Sequence, residues 1–248
     1  MLRLILICLV RVPRADCWGL EQSVVGSQAK LAASAAAEAR LRESLALYKI
    51  PWAACAGRVK ALAGDLELPL FGLSLEHWQE LANQCSVIFH AGAQVNWLVD
   101  YSLARAANVL GTQTALALAA AADAPLHFVS TLSVVEPASA GSSSETTPLQ
   151  PAQLWALLAQ PGHGYAASKW VGDFYMQRAR EQKWGPVFVY RPGFISGHST
   201  SGACNPTDYL SRMLRACLML GALPASEVQR IYVCLQCLLF IVPLFIIV

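Results

Sequence analysis

The sequence predicts an α/β fold built on a parallel, doubly wound sheet. Three observations point there. Short runs rich in Val, Ile and Leu alternate with longer alanine-rich stretches, the pattern of strands covered by helices. Each motif with chemical potential falls at the end of such a run or just after it, where ligands of these sheets bind. A composition that is 55% hydrophobic and 14% charged over 248 residues supplies a core of ordinary size and argues against disorder.

The elements follow in order. Residues 4–10 read as a strand buried on both faces, and 28–48 as a helix of alanines and other good helix formers. A short strand at 59–62 ends at Gly64-Asp65, and 75–84 is a helix. The strand at 86–89 ends at His90-Ala91-Gly92-Ala93. A long alanine-rich helix over 103–122 leads to a strand at 126–130. Residues 136–164, with a serine run and several prolines, read as an exposed loop holding one helical turn at 154–158. A helix at 165–182, a strand at 187–190 closed by Arg191-Pro192-Gly193, and a helix at 208–220 complete the pattern. This makes roughly five strands joined by right-handed crossovers.

Charge and cysteine usage narrow the class. A net charge of +2, with no basic run, gives no ground for a nucleic-acid partner. The eight cysteines lie mostly in apolar runs and read as reduced thiols of a cytoplasmic protein. Cys234 and Cys237 form a C-x-x-C with no second ligand pair nearby, so no metal site is expected. The apolar start, 1–10, lacks small residues at a cleavage point and reads as a strand rather than a signal peptide. Residues 231–248 carry no charge and reach the lower length limit of a membrane span, though Pro243 interrupts them. They are either a membrane contact or a tail foreign to the fold. The expected organisation is a domain over 1–224 and an apolar tail over 225–248.

Tyr165 and Lys169 stand four apart on a predicted helix and so share a face. A free phenol has a pKa of about 10, and a nearby ammonium favours its phenolate, so the pair makes a sensible general acid. Taken alone, this spacing arises by chance in many helices. Thr131 ends a buried strand; its hydroxyl either hydrogen-bonds a substrate carbonyl oxygen or caps local backbone. Asn108 is mildly unfavourable inside a helix. It either ties Lys169 to solvent through a water or bonds a neighbouring backbone carbonyl.

In order and spacing, Asn108, Thr131, Tyr165 and Lys169 resemble the extended short-chain dehydrogenase/reductase superfamily. The surrounding words narrow the resemblance: Cys8-Leu9-Val10-Arg11, Gly64-Asp65-Leu66, His90-Ala91-Gly92-Ala93-Gln94-Val95-Asn96, Tyr165-Ala166-Ala167-Ser168-Lys169-Trp170 and Tyr190-Arg191-Pro192-Gly193-Phe194-Ile195-Ser196-Gly197. These look like thioester reductase domains with a male-sterility-type NAD-binding domain. That branch includes carboxylic acid reductase, aminoadipate reductase and the terminal reductase domains of synthetases. The similarity runs over residues 6–224.

The resemblance implies a Rossmann-type sheet and NADPH-dependent release of a carrier-bound acyl thioester as an aldehyde. It implies Thr131, Tyr165 and Lys169 as the catalytic set with Asn108 in support. It places Arg11 at the adenosine 2′-phosphate, where a planar guanidinium fork suits phosphate; the alternative is a surface arginine. Asp65 and Leu66 would border the adenine, Ala91, Gly92 and Ala93 would lie under the cofactor, and Pro192 and Gly193 beside the nicotinamide. Tyr165 and Lys169 would also touch the cofactor. The sequence departs from the family where Gly-x-x-Gly-x-x-Gly should precede residue 4, so the sheet is expected to be incomplete, without its first strand and glycine-rich turn. After Pro224 the family's substrate-covering region is not recognisable, and Asp173 replaces the usual glutamate. An inactive truncated fragment and an enzyme like fatty acyl-CoA reductase are the alternatives.

Overall fold

The structure is a computed structural model that describes residues 6–10, 27–135, 148–159, 162–222 and 232–234. Contacts divide the chain into two units, one comprising residues up to Ala63 together with those from Pro192 onward, the other spanning Gly64–Arg191.

In the first unit, β1 (Leu6–Val10) pairs in parallel with β2 (Val59–Ala63), Leu6 opposite Val59 and Val10 opposite Ala63. The parallel pair requires a crossover, and α1 (Ser27–Leu47) supplies it. Ala37, Leu41 and Leu45 recur at helical spacing and bury their side chains with Ala61 of β2. Two short 3₁₀ turns, Trp52–Ala54 and Ala56–Arg58, lead into β2. Later in the chain, β6 (Phe194–Ser196) pairs in parallel with β7 (Tyr232–Cys234), and α7 (Tyr209–Leu220) lies between them in sequence. Asp208 caps α7 by accepting from the Leu210 amide, and Gly221 ends it at φ 62°.

The second unit holds a three-stranded parallel sheet in the order β3 (Ile88–His90), β4 (Leu126–Val129), β5 (Val187–Tyr190). Its strands are joined by α-helical crossovers. α2 (Leu75–Gln84) precedes β3 and starts at Ser74, whose hydroxyl accepts from the His77 amide. α3 (Tyr101–Arg105) runs through a π-helical turn, Ala106–Leu110, into α4 (Gly111–Ala122). α5 (Pro151–Leu158) and α6 (Gly164–Glu181) connect β4 to β5. Strand residues alternate: Leu126 and Phe128 are fully buried. On the other face His127 stacks between Phe89 and Phe188, at centroid distances of 4.2 and 4.6 Å, because the three are in register. A second core joins Val134, Leu149, Leu157, Ala166, Ala167 and Trp170.

The α/β class and the parallel pairing agree with the sequence. Several details differ. The described residues contain seven strands rather than five: β6 follows directly after the Arg191-Pro192-Gly193 stop, and β7 lies within the apolar tail expected as a membrane contact or a foreign segment. The long helix begins two residues earlier than expected and carries the π turn. The segment expected as an exposed loop is partly internal: Leu149 and Leu157 are buried against Trp170, and the helix there spans eight residues. Of the apolar tail, Tyr232–Cys234 form β7, while the rest, with Cys237, lies outside the described residues. No described helix is long and apolar enough to cross a membrane.

Candidate active site

The end of β4 organises the site. Lys169 is 2% exposed and projects from α6 to donate from Nζ to the Val129 carbonyl at 2.7 Å, with the Phe128 ring 4.2 Å away. An ammonium over an aromatic face gains cation–π attraction that a neutral amine lacks. Burial nevertheless pulls the Lys169 pKa down to about 7, and the Asp173 carboxylate opposes that fall.

Asp173 stands one turn beyond Lys169 and is 1% exposed. It accepts from Ser130 Oγ at 2.7 Å and from both Nε and Nη2 of Arg191, at 2.8 and 2.9 Å. The bidentate fork is the strong geometry for this pair. The Ser130 amide donates to the Tyr190 carbonyl at 2.7 Å, so β4, β5 and α6 are tied at one point.

Tyr165 lies one turn before Lys169 on the same buried face and packs its ring 5.5 Å from that of Trp97. Close backbone approach fixes this end of α6. A Cβ on Gly164 would overlap the Val99 carbonyl oxygen and the Tyr101 amide nitrogen. Thr131, half-buried, caps the 3₁₀ turn Leu132–Val134: its Oγ1 accepts from the Ser133 amide and donates to the Ser133 hydroxyl, both at 3.3 Å. The local-capping alternative for Thr131 is therefore realised, on a strand end one residue beyond the Asp173 anchor.

Asn108 bonds the backbone of Gln94 and the side chain of Ser168. Its Oδ1 accepts from the Gln94 amide at 2.7 Å, and Nδ2 donates to the Gln94 carbonyl at 3.1 Å and to Ser168 Oγ at 2.9 Å. Both amide protons are thereby committed. The π turn gives the reason, because an extra residue in the helical turn re-aims Asn108 toward the segment after β3. Ser168 then donates to the Tyr165 carbonyl at 2.7 Å, so Asn108 supports α6 through Ser168.

His90, at the end of β3, is 3% exposed. The Thr112 hydroxyl donates to the Asn108 carbonyl at 2.7 Å, so it accepts from His90 Nε2–H at 2.9 Å. Burial and then the Lys169 charge drive the His90 pKa down to about 3, leaving a neutral imidazole.

The residues read as cofactor contacts divide. Ala91, Gly92 and Ala93 follow β3 and present nothing larger than a methyl group at a strand end. Asp65 is buried, its Oδ1 accepting from the Glu67 amide at 3.0 Å, and the Leu66 backbone sits so close to Gly111 that a Cβ there would stand 2.8 Å from its carbonyl oxygen. These share a unit with Asn108, Thr131, Tyr165 and Lys169, whereas Pro192 and Gly193 fall in the other unit. Arg11 lies outside the described residues. Sequence reasoning missed Ser130, Ser168 and the Asp173–Arg191 pair as members of this cluster. Asp173 carried a signal, as a charge at helical spacing on the face of Tyr165 and Lys169.

A family profile described as male sterility protein matches residues 27–238. The non-canonical nonribosomal peptide synthetase FrzA of Cladobotryum sp is 40% identical over 203 residues, covering 79% of this chain and 19% of that protein. Aldehyde reductase lnaA of Aspergillus flavus is 42% identical over 196 residues, covering 77% and 18%. The chain thus spans less than a fifth of these relatives. The terminal R domain from the myxalamid PKS-NRPS pathway superposes with a TM-score of 0.74 at 32% identity, over 94% of this chain and 52% of that one. With its parallel α/β architecture, the chain belongs to the male sterility protein family of NAD-binding domains, alongside the terminal reductase domains of peptide and polyketide synthetases.

Proposed function

We propose that this chain carries the NADPH-dependent reductive release of a carrier-bound acyl thioester as an aldehyde. One observation carries the reading. Helix α6 sets Tyr165 and Lys169 one turn apart on a buried face, and Lys169 is pinned to the strand end that continues into Thr131. The residue chemistry fits a dinucleotide: a phenol and an ammonium on one face, a hydroxyl at the adjoining strand end, and a turn of small residues after β3. Arg11 is assigned to the 2′-phosphate, Asp65 and Leu66 to the adenine edge, Ala91–Ala93 to the backbone approach, and Pro192 and Gly193 to the nicotinamide side. When bound, the nicotinamide supplies a hydride equivalent.

The chain's own residues do the rest. The Thr131 hydroxyl turns from Ser133 to hydrogen-bond the substrate carbonyl oxygen. Tyr165 gives its phenolic proton to that oxygen as charge develops. Lys169, held by Val129, stabilises the phenolate left behind. The resulting hemithioacetal breaks its carbon–sulfur bond and yields aldehyde and free thiol, the thiol being that of the carrier's phosphopantetheine arm. The unpaired thiols of Cys55, Cys85, Cys204 and Cys217 suit a cytoplasmic setting.

The test follows NADPH absorbance with an acyl-pantetheine thioester, a loaded carrier protein and an acyl-CoA, using the chain and a longer protein that includes it. We expect turnover fastest with the loaded carrier and lowered at least about 100-fold by Tyr165→Phe, with cofactor binding retained. Turnover unchanged in Tyr165→Phe would remove the assignment, and preference for acyl-CoA would favour a fatty acyl-CoA reductase.

A further inference from the structure

Besides Tyr165, three buried ionisable side chains, Lys169, Asp173 and His90, lie around the end of β4, with Arg191 partly buried beside them. The chemistry above uses only the lysine. Asp173 sits on the same helical face as Tyr165 and Lys169, at one-turn intervals. Its carboxylate is saturated from outside the helix: Arg191 at the end of β5 engages both oxygens, and Ser130 donates to Oδ2. Ser130 lies between Val129, whose carbonyl takes the Lys169 ammonium, and Thr131.

The groups around Lys169 and its neighbour Asp173 come from four elements. From β3 there is His90, held neutral. From β4 there are the Phe128 ring and the Val129 carbonyl. From α6 there are Tyr165 and Asp173, and from the end of β5 there is Arg191. Asp173 is the one anion among them. An ammonium this deeply buried is unfavourable without compensating charge.

We propose that Asp173 is a positioning residue: its carboxylate, clamped by Arg191 and Ser130, fixes the end of β4 against α6 and supplies the counter-charge that lets Lys169 stand as an ammonium. Arg191 works against that second effect, because the carboxylate whose charge favours the Lys169 ammonium is already ion-paired with the guanidinium. The acid therefore acts through Lys169 and the Thr131 strand end without touching substrate. This rests on the role proposed for Lys169.

Two opposed substitutions distinguish this device from mere packing. Asp173→Asn removes the anion and should lower the Lys169 titration midpoint by about one pH unit or more. Arg191→Met removes the competing cation and should raise it. Asp173→Glu should return the midpoint toward the wild-type value. The readout is the ¹³Cε resonance of Lys169 in ¹³C-lysine-labelled protein, followed with pH. Unmoved midpoints, or shifts of one sign in both variants, overturn the proposal. Should the variants fail to fold, the unmutated chain still decides. The Asp173 ¹³Cγ resonance should show an inflection at the Lys169 midpoint, and a flat profile there overturns the proposal. Opposed shifts without thioester turnover would instead sink the function proposed for Lys169 and leave this network standing.

Discussion

His90 and Lys169 are bases kept where positive charge is poorly solvated. The His90 pKa falls from 6.5 to about 3 and that of Lys169 from 10.5 to about 7. Between each pair of values the unfolded chain binds more protons than the folded one, so stability rises with pH across both windows. The free energy of unfolding should climb from pH 3 to 6.5 through His90 and again from pH 7 to 10.5 through Lys169. Each pH unit of such a gap is worth about 1.4 kcal/mol. His90→Gln, which keeps an N–H for Thr112, should flatten the acid window alone, as read from urea midpoints at pH 4 and 7. Asn108 belongs to the same scale. Asn108→Leu strands the Gln94 amide and carbonyl and should cost about 3 kcal/mol in denaturant unfolding. A loss below about 1 kcal/mol would show that the clamp is replaceable.

At the level of elements, α6 depends on backbone proximity at its first turn. Gly164→Ala should destabilise the protein by about 2 kcal/mol or more and misplace Tyr165, because Val99 and Tyr101 leave no room for a methyl group. Gly57→Ala, with nothing within 4 Å, should stay within about 0.5 kcal/mol of wild type. Equal melting temperatures for the two variants would contradict this reading of the α6 terminus. The elements also show what was legible. α2 and β5 match their expected bounds because local signals flank them: Ser74 caps α2, and Arg191-Pro192 closes β5. The π turn was illegible, since alanines fit a π turn and an α-helix equally well, and only Asn108 hinted at it. Leu149 and Leu157 looked like loop residues until Trp170, from a later helix, covered them.

For the whole molecule, a cofactor that binds the folded chain must raise its stability. NADPH at a hundredfold excess over its Kd should add about 2.7 kcal/mol, seen as a rise in melting temperature. NADH should add less if Arg11 meets the 2′-phosphate. Equal shifts with both nucleotides would remove Arg11 from the site, and no shift with either would remove the cofactor assignment for this chain. The chain's two units bear on the same measurement, because Tyr165 and Lys169 belong to the unit Gly64–Arg191, and Pro192 and Gly193 to the other. The expected outcome is that the transition of the unit holding Tyr165 and Lys169 moves up with NADPH.

The sequence by itself determined the α/β class, the order of the main elements and the Tyr165–Lys169 pair. Those depend on periodicity and on spacings of a few residues, which local geometry enforces wherever the chain folds. Only the tertiary structure decided the partners. Asp173 meets Ser130 from 43 residues back and Arg191 from 18 residues on, and Asn108 meets Ser168 at a separation of 60. Such pairings follow from strand order and helix packing, and buried polar groups take whichever partner the packing brings.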